Sequence, residues 1–282
     1  MEETLQIDGN ETVVAVVAAP IVAGQLRIHH FKSKVFGNRR MLRVWLPPGY
    51  DARENRSRRY PILYLNDGQN LFEASTSFAG VEWQVDETAT RLIHEGRIPP
   101  MLVVGIDNAQ SDRMREYVPY RSVDIPERRV QGNKYPEFLL NEVVPYVGRR
   151  YRVAKEPENT GLGGSSLGAL ISLYTAITHP RQFGRLLLES PSLFVANRRL
   201  LRDSARARRW PERVFLGVGT QETSDENKNR QVVDDVRALA EVLQKAGLRD
   251  DRLRVDIDQG AAHSESAWAK RFPEALTFLY RQ

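Results

Sequence analysis

Short apolar runs alternate along this chain with longer segments whose apolar residues recur every three to four positions, so strands and helices should follow one another over most of its length. Residues 26–32 and 40–46 alternate polar and apolar. Phe36-Gly37-Asn38 between them supplies a turn, which predicts an antiparallel hairpin closed by Pro47-Pro48-Gly49-Tyr50. Beyond a charged loop, 60–65 is a compact apolar run suited to a strand buried on both faces, and 101–106 repeats the pattern. Helical spacing covers 83–95 up to Gly96, and 138–146 with a bend near Pro145.

A short buried strand is expected to end over 159–162. Leu170, Leu173, Tyr174 and Ile177 then mark a helix that Pro180 stops. Residues 185–189, 213–217 and 252–257 read as further strands, with a basic helical segment through Arg209 after the first of them. Val232, Val236, Leu239, Val242 and Leu243 form one face of a helix ended by Gly247, and a last helix runs to Tyr280. The loops are expected at 220–225 and 259–263. This order predicts an α/β fold: a mostly parallel sheet of about eight strands, helices on both faces and the antiparallel hairpin at one edge. Residues 1–25 show no clear period and read as an N-terminal arm, leaving 26–282 as a single domain. Residues 112–134 read as a long loop able to wall a pocket.

With 282 residues, 41% of them hydrophobic, a sizeable core can be built. The absence of cysteine removes disulfides, thiolate metal sites and a cysteine nucleophile. The net charge of +5 raises the question of nucleic acid, but Arg149-Arg150, Arg198-Arg199 and the cluster at 202–209 are dispersed and lack interleaved aromatics. A solvated basic surface, with some attraction for anionic substrates, is the expectation, and no nucleic-acid partner is expected. The first twenty residues carry Glu2 and Glu3, no basic stretch, and an apolar run at 13–19 that stops at Pro20, so they read poorly as a signal peptide. No segment has the length to span a membrane. The expectation is a soluble, cytoplasmic protein without a membrane partner. Oligomeric state stays open, a homodimer being one outcome.

The candidate chemistry centres on Gly164, Ser166 and Gly168, a G-x-S-x-G pattern placed between a predicted strand and a predicted helix. A sharp turn there lifts a serine hydroxyl above the sheet. Among the five histidines, His29 and His30 lie in the hairpin, while His94 and His179 lie at helix ends. Only His263 follows a core strand in a loop, after the serine. The acid that orients such a histidine should fall between the two. Glu222 and Asp225 both follow the 213–217 strand, and Glu222 is favoured as nearer its end. Oxyanion donors would be the backbone N–H groups of Leu167 and of Gln69, the latter in the turn after the 60–65 strand. Asp67, Asn70, Trp83, Arg121 and Trp268 are further candidates for substrate contact, with turn stabilisation an equal alternative for Asp67 and Asn70.

These residues resemble the esterase family of the α/β-hydrolase fold that includes esterase D, enterochelin esterase, feruloyl and acetyl xylan esterases and the mycolyltransferases. The resemblance runs from about Leu26 to the C-terminus. It rests on Leu46-Pro47-Pro48-Gly49-Tyr50, Tyr64-Leu65-Asn66-Asp67-Gly68-Gln69-Asn70-Leu71-Phe72, Gly163-Gly164-Ser165-Ser166-Leu167-Gly168, Val218-Gly219-Thr220-Gln221-Glu222 and Gly260-Ala261-Ala262-His263-Ser264-Glu265-Ser266-Ala267-Trp268. It departs from the family at Ala169, where a further glycine is usual, and over residues 1–25. The resemblance implies Ser166 as nucleophile, Glu222 as acid, His263 as base, and Gln69 and Leu167 as oxyanion amides, with no cofactor and no metal. It implies an ester hydrolase for aryl, sugar or siderophore-type esters. An acyltransferase with the same triad, or a non-catalytic protein binding through its basic surface, are the alternatives.

Overall fold

The computed structural model describes residues 24–121 and 129–281. Its frame is one eight-stranded sheet, built from strands whose apolar content leaves them no other stable place. The hairpin of β1 (Gln25–Lys32) and β2 (Arg39–Leu46) is followed by β3 (Ile62–Asn66), helix α1 (Val85–His94) and β4 (Leu102–Ile106). After α2 (Arg113–Tyr117) come α3 (Tyr135–Phe138) and α4 (Val144–Arg150), joined by a wide π-turn at Leu139–Val143. Then strand and helix alternate: β5 (Thr160–Ser165), α5 (Leu167–Thr178), β6 (Arg185–Glu189), α6 (Val195–Ser204), β7 (Arg213–Gln221), α7 (Glu226–Lys245), β8 (Leu253–Ala262) and α8 (Glu265–Tyr280).

The strand order is β1-β2-β4-β3-β5-β6-β7-β8. β2 pairs antiparallel with β1 and β4, and the strands from β4 to β8 are parallel. β3, β4, β5 and β6 are buried at every residue, as strands covered on both faces must be. Alternation along the strands divides the core in two. Tyr64, Leu162, Leu186, Leu188 and Leu216 pack with the helices α3 to α7, whereas Leu63, Leu65, Leu187 and Phe215 pack with α1 and α8. No helix among the described residues is long and apolar enough to cross a membrane.

Several boundaries differ from the sequence expectation. β7 continues to Gln221 and β8 to Ala262, so 259–262 is strand rather than loop and the polar loop after β7 begins only at Glu222. Gly219 pairs with Asp258 and Gln221 with Ala262, an irregular register that takes up extra residues between them. The 112–134 segment contains α2, a single helical turn and a half, and its residues 122–128 lie outside the described ones, as does 1–23 of the expected arm. The helix expected over 138–146 is longer, and Pro145 stands in the first turn of α4 immediately after the π-turn, where its missing N–H costs little.

α8 closes the sheet from below at one point of close approach. Tyr280 Oη donates to the Ile62 carbonyl at 2.8 Å, and a Cβ added at Gly161 would stand 2.3 Å from Tyr280 Oη and 2.8 Å from Leu63 Cδ1. Gly161→Ala should therefore destabilise the fold by about 1–3 kcal/mol through overpacking. Urea unfolding checks this; an unchanged midpoint would mean that the end of α8 yields freely.

Candidate active site

The six parallel strands β3 to β8 each lead into polar residues at their carboxyl ends, the position at which open α/β sheets bind ligands. Between β5 and α5, Ser166 adopts φ 55° and ψ −122°. Its N–H donates to the Glu189 carbonyl at 2.9 Å, and its own carbonyl accepts from Leu170 at 3.0 Å and Ser192 at 3.3 Å. The glycines around it lie in close contact with the end of β3. A Cβ at Gly168 would lie 3.0 Å from Asp67 Oδ2, and one at Gly164 3.1 Å from Asn66 Cβ. Asn66 in turn donates to the Gly168 carbonyl at 3.0 Å and to Ser172 Oγ at 2.9 Å, tying the end of β3 to α5.

β7 and β8 bring Glu222 and His263 together. His263 Nδ1 hydrogen-bonds Glu222 Oε2, and the other carboxylate oxygen accepts from the Gly219 N–H at 2.6 Å and from Ser190 Oγ at 2.7 Å. Trp268 completes the enclosure: its Nε1 donates to Ser190 Oγ at 3.0 Å while its ring stands edge-on to His263 with centroids 5.0 Å apart. The Glu222 side chain is 2% exposed and that of His263 36%, so the pair is a buried carboxylate supporting an accessible imidazole. Burial by itself would raise the Glu222 pKa. The hydrogen bonds from His263, Ser190 and Gly219 outweigh it and hold the carboxyl below the ordinary value of 4.5. Asp225 has a different task, accepting from the Asn227 and Lys228 N–H groups at 2.8 and 3.3 Å as the N-cap of α7.

The turn after β3 is fixed by charge. Asp67, left-handed at φ 57° and buried, accepts from Arg113 Nε at 2.7 Å and Nη2 at 2.8 Å and from Asn108 Nδ2 at 2.7 Å, and its N–H donates to Tyr117 Oη at 3.3 Å. Gln69 is anchored through its side-chain oxygen to the Asn108 N–H at 3.2 Å and through its carbonyl to Thr76 Oγ1 at 2.7 Å. Leu167 is the first residue of α5, so its N–H is one of the donors that a helix leaves without an internal partner. Asn70 is structural in its contacts: it donates to Glu265 Oε1 at 3.1 Å and accepts from the Phe78 N–H at 3.1 Å. Trp83 is a core residue, packed against Trp268 and Phe272. Arg121 is exposed beside the undescribed 122–128.

Beneath the site, Glu189 is buried with Arg271, whose Nε and Nη2 reach its Oε2 at 2.9 and 2.7 Å. Burial pushes this carboxyl up to about 7 in spite of Arg271.

Four residues on the loops around these strand ends were not singled out from the sequence. Ser190 and Ser192 follow β6, with the hydroxyls of Ser192 and Ser166 3.3 Å apart. Phe78 and Phe194 are large exposed aromatics at 93% and 44%, on the loops that follow the β3 turn and Ser192. The strand-end rule that selected His263 would have selected the serines; nothing in the sequence marks the two phenylalanines as exposed.

Sheet order, elbow and strand-end residues together define an α/β-hydrolase fold. The family model described as "Putative esterase" matches residues 33–279, and the chain belongs to that esterase family. Ester hydrolysis is the class of activity that accompanies it. The chain is 26% identical over 249 residues to the uncharacterized protein YbbA of Bacillus subtilis (strain 168), covering 86% of this chain and 93% of that one. It is 27% identical over 186 residues to the iron(III) enterobactin esterase of Dickeya dadantii (strain 3937), covering 66% of this chain and 38% of the relative. The enterobactin esterase FES of Shigella flexneri, crystallised in the presence of enterobactin, superposes with a TM-score of 0.71 at 20% identity over 93% of this chain and 60% of its own. The chain thus spans less than two thirds of the length of both named enterobactin esterases.

The lowered Glu222 pKa fixes the sign of a pH effect. A carboxyl whose folded pKa lies below its unfolded value adds stability that is complete above the unfolded pKa and is lost as pH falls through the folded one. Glu222→Gln should lower stability at neutral pH, with the gap to the wild type narrowing below about pH 4. Urea unfolding near neutrality and in mild acid measures it; a gap independent of pH would contradict the assigned charge state.

Proposed function

We propose that the chain hydrolyses carboxylic esters through an acyl-Ser166 intermediate, with His263 as general base and acid and Glu222 as its orienting carboxylate. The observation that carries this reading is the buried Glu222 holding Nδ1 of an accessible His263 at the strand ends beside the Ser166 elbow. With Nδ1 engaged, Nε2 is the ring nitrogen left for the serine proton. The hydroxyl turns from Ser192 to Nε2, gives up its proton there, and Oγ bonds to the ester carbonyl carbon. The oxyanion is met by the N–H groups of Leu167 and Gln69. The carbon–oxygen bond to the alkoxy group then breaks as His263 returns the proton to the leaving alcohol. Water attacks the acyl carbon, His263 takes its proton, and Ser166 departs with that proton as the acid leaves.

For the substrate, the reading is a small-molecule ester with an aromatic acyl group, of the aryl, feruloyl or siderophore type. Phe78 and Phe194 offer exposed apolar faces on the loops that follow the β3 turn and Ser192, available to an aromatic acyl group. Two of the similar proteins are enterobactin esterases. The activity is assigned to residues 26–282 acting as one catalytic domain.

Hydrolysis of p-nitrophenyl acetate and butyrate and of a feruloyl ester provides the test. Ser166→Ala and His263→Ala should each lower kcat on the order of 10⁴–10⁶-fold, and Glu222→Gln on the order of 10⁴-fold. Phe78→Ala with Phe194→Ala should raise KM for the feruloyl ester and leave acetate turnover little changed. A folded Ser166→Ala protein within tenfold of the wild type would overturn the mechanism.

A further inference from the structure

At the amino ends of the central strands, away from Ser166, the described residues enclose a cavity of about 380 Å³. At the roughly 30 Å³ that a water molecule takes up in the liquid, it has room for about a dozen non-hydrogen atoms. Ile62 and Tyr64 of β3 form part of its lining, Val144 and Phe183 stand on its sides, and Arg149 and Lys155 are exposed at its rim. The π-turn of Leu139–Val143 and the following Pro145 lie over it, and such an inserted turn is a recurrent device where helices make room for ligands. Gly148 keeps part of the space empty, since a Cβ there would find nothing nearer than Val153 Cγ2 at 4.0 Å.

Two features of this cavity ask for a ligand of particular chemistry. Arg149 and Lys155 have no carboxylate partner among the described residues, and Glu156 beside them is bonded to Asn159 Nδ2 at 3.3 Å. Arg59, Arg150 and Arg152 nearby keep the surroundings positive: Arg150 lies over the Tyr146 ring, Arg152 over Tyr50, and Arg59 reaches the Val153 carbonyl. At the other end, Tyr64 of the lining is 1% exposed as a residue, and its hydroxyl opens into the cavity with no hydrogen bond to a described residue. Burial keeps that hydroxyl protonated, so it can donate as well as accept. A purely aliphatic ligand would displace solvent from this hydroxyl without replacing its hydrogen bond, whereas a ligand hydroxyl would replace it.

We propose that this cavity binds a small hydroxyaryl monocarboxylate, its carboxylate at Arg149 and Lys155, its ring between Val144 and Phe183 and its ring hydroxyl at Tyr64. The charge of the rim selects an anion, the apolar walls select a ring, and Tyr64 selects the hydroxyl over an alkyl tail. Ser166 takes no part in this site, so binding can be tested whether or not the esterase reading holds.

Isothermal titration calorimetry of the full chain with 4-hydroxycinnamate, cinnamate, 4-hydroxycinnamamide and octanoate reads each element separately. The expected result is saturable one-to-one binding of 4-hydroxycinnamate, several-fold weaker binding of cinnamate and octanoate, and at least about tenfold weaker binding of the uncharged amide. Arg149→Ala combined with Lys155→Ala, both exposed and thus neutral for folding, should weaken 4-hydroxycinnamate at least about tenfold, and Gly148→Leu should abolish binding by filling the space. Tyr64→Phe should erase the preference for the hydroxylated acid. No binding at millimolar concentration would overturn the proposal. Affinity unchanged in the folded double charge variant would overturn it too, by placing the acid elsewhere, the Ser166 site included. Octanoate binding more tightly than the hydroxyacid would also contradict it.

Discussion

The backbone at Ser166 is forced through φ 55° and ψ −122°, and much of the site exists to hold it there. A non-glycine residue in such a region costs on the order of 1–3 kcal/mol. The structure over-determines it from three sides: the Glu189 carbonyl fixes the N–H, α5 begins on the carbonyl, and Gly164 and Gly168 let the end of β3 come within side-chain-free distance. Substituting either glycine would bring a Cβ to 3.0 or 3.1 Å from its neighbours, so elbow, β3 turn and α5 are one packed unit rather than three adjustable parts.

Around that unit, buried charges are placed in pairs. Asp67 is held by Arg113, Glu189 by Arg271, and Arg40 by Glu116, whose side chains are 0% and 2% exposed. Buried pairs of this kind add little net stability, because desolvation cancels most of the attraction, but removing one partner is costly. Their contribution is to fix geometry. Asp67 sets the turn that carries Gln69, and Glu189 lies on the strand whose carbonyl holds Ser166. Glu222 differs: no arginine or lysine holds it, and its ionised form is favoured by hydrogen bonds from His263, Ser190 and Gly219 together with the Coulombic attraction of His263. The site is therefore organised before any ligand arrives, as electrostatic preorganisation requires.

Much of this was legible in the sequence for reasons that can be traced residue by residue. Runs such as 62–65 and 102–106 are free of charged and amide side chains because they are central, and the elimination of four histidines by position leaves His263 at a strand end. The expected loop at 259–262 failed because Gln259, Gly260, Ala261 and Ala262 carry no hydrophobic period; their strand is made by backbone pairing with β7 across an irregular register. α2 was invisible for its length, and the π-turn because one added residue in a helix shifts the apolar spacing only slightly. Trp83 and Trp268 show the limit of reading roles from residue type. Both bury their rings, and Trp268 meets the site through its indole N–H on Ser190 and its ring against His263.

The central claim is that Ser166 is the nucleophile activated by His263 and Glu222. Its most direct test is treatment of the folded protein with a fluorophosphonate, followed by intact mass and peptide mapping. The account predicts one adduct per chain on the peptide containing Ser166, lost in Ser166→Ala and formed much more slowly in Glu222→Gln. An unlabelled wild type, or an adduct on Ser190 or Ser192, would contradict it.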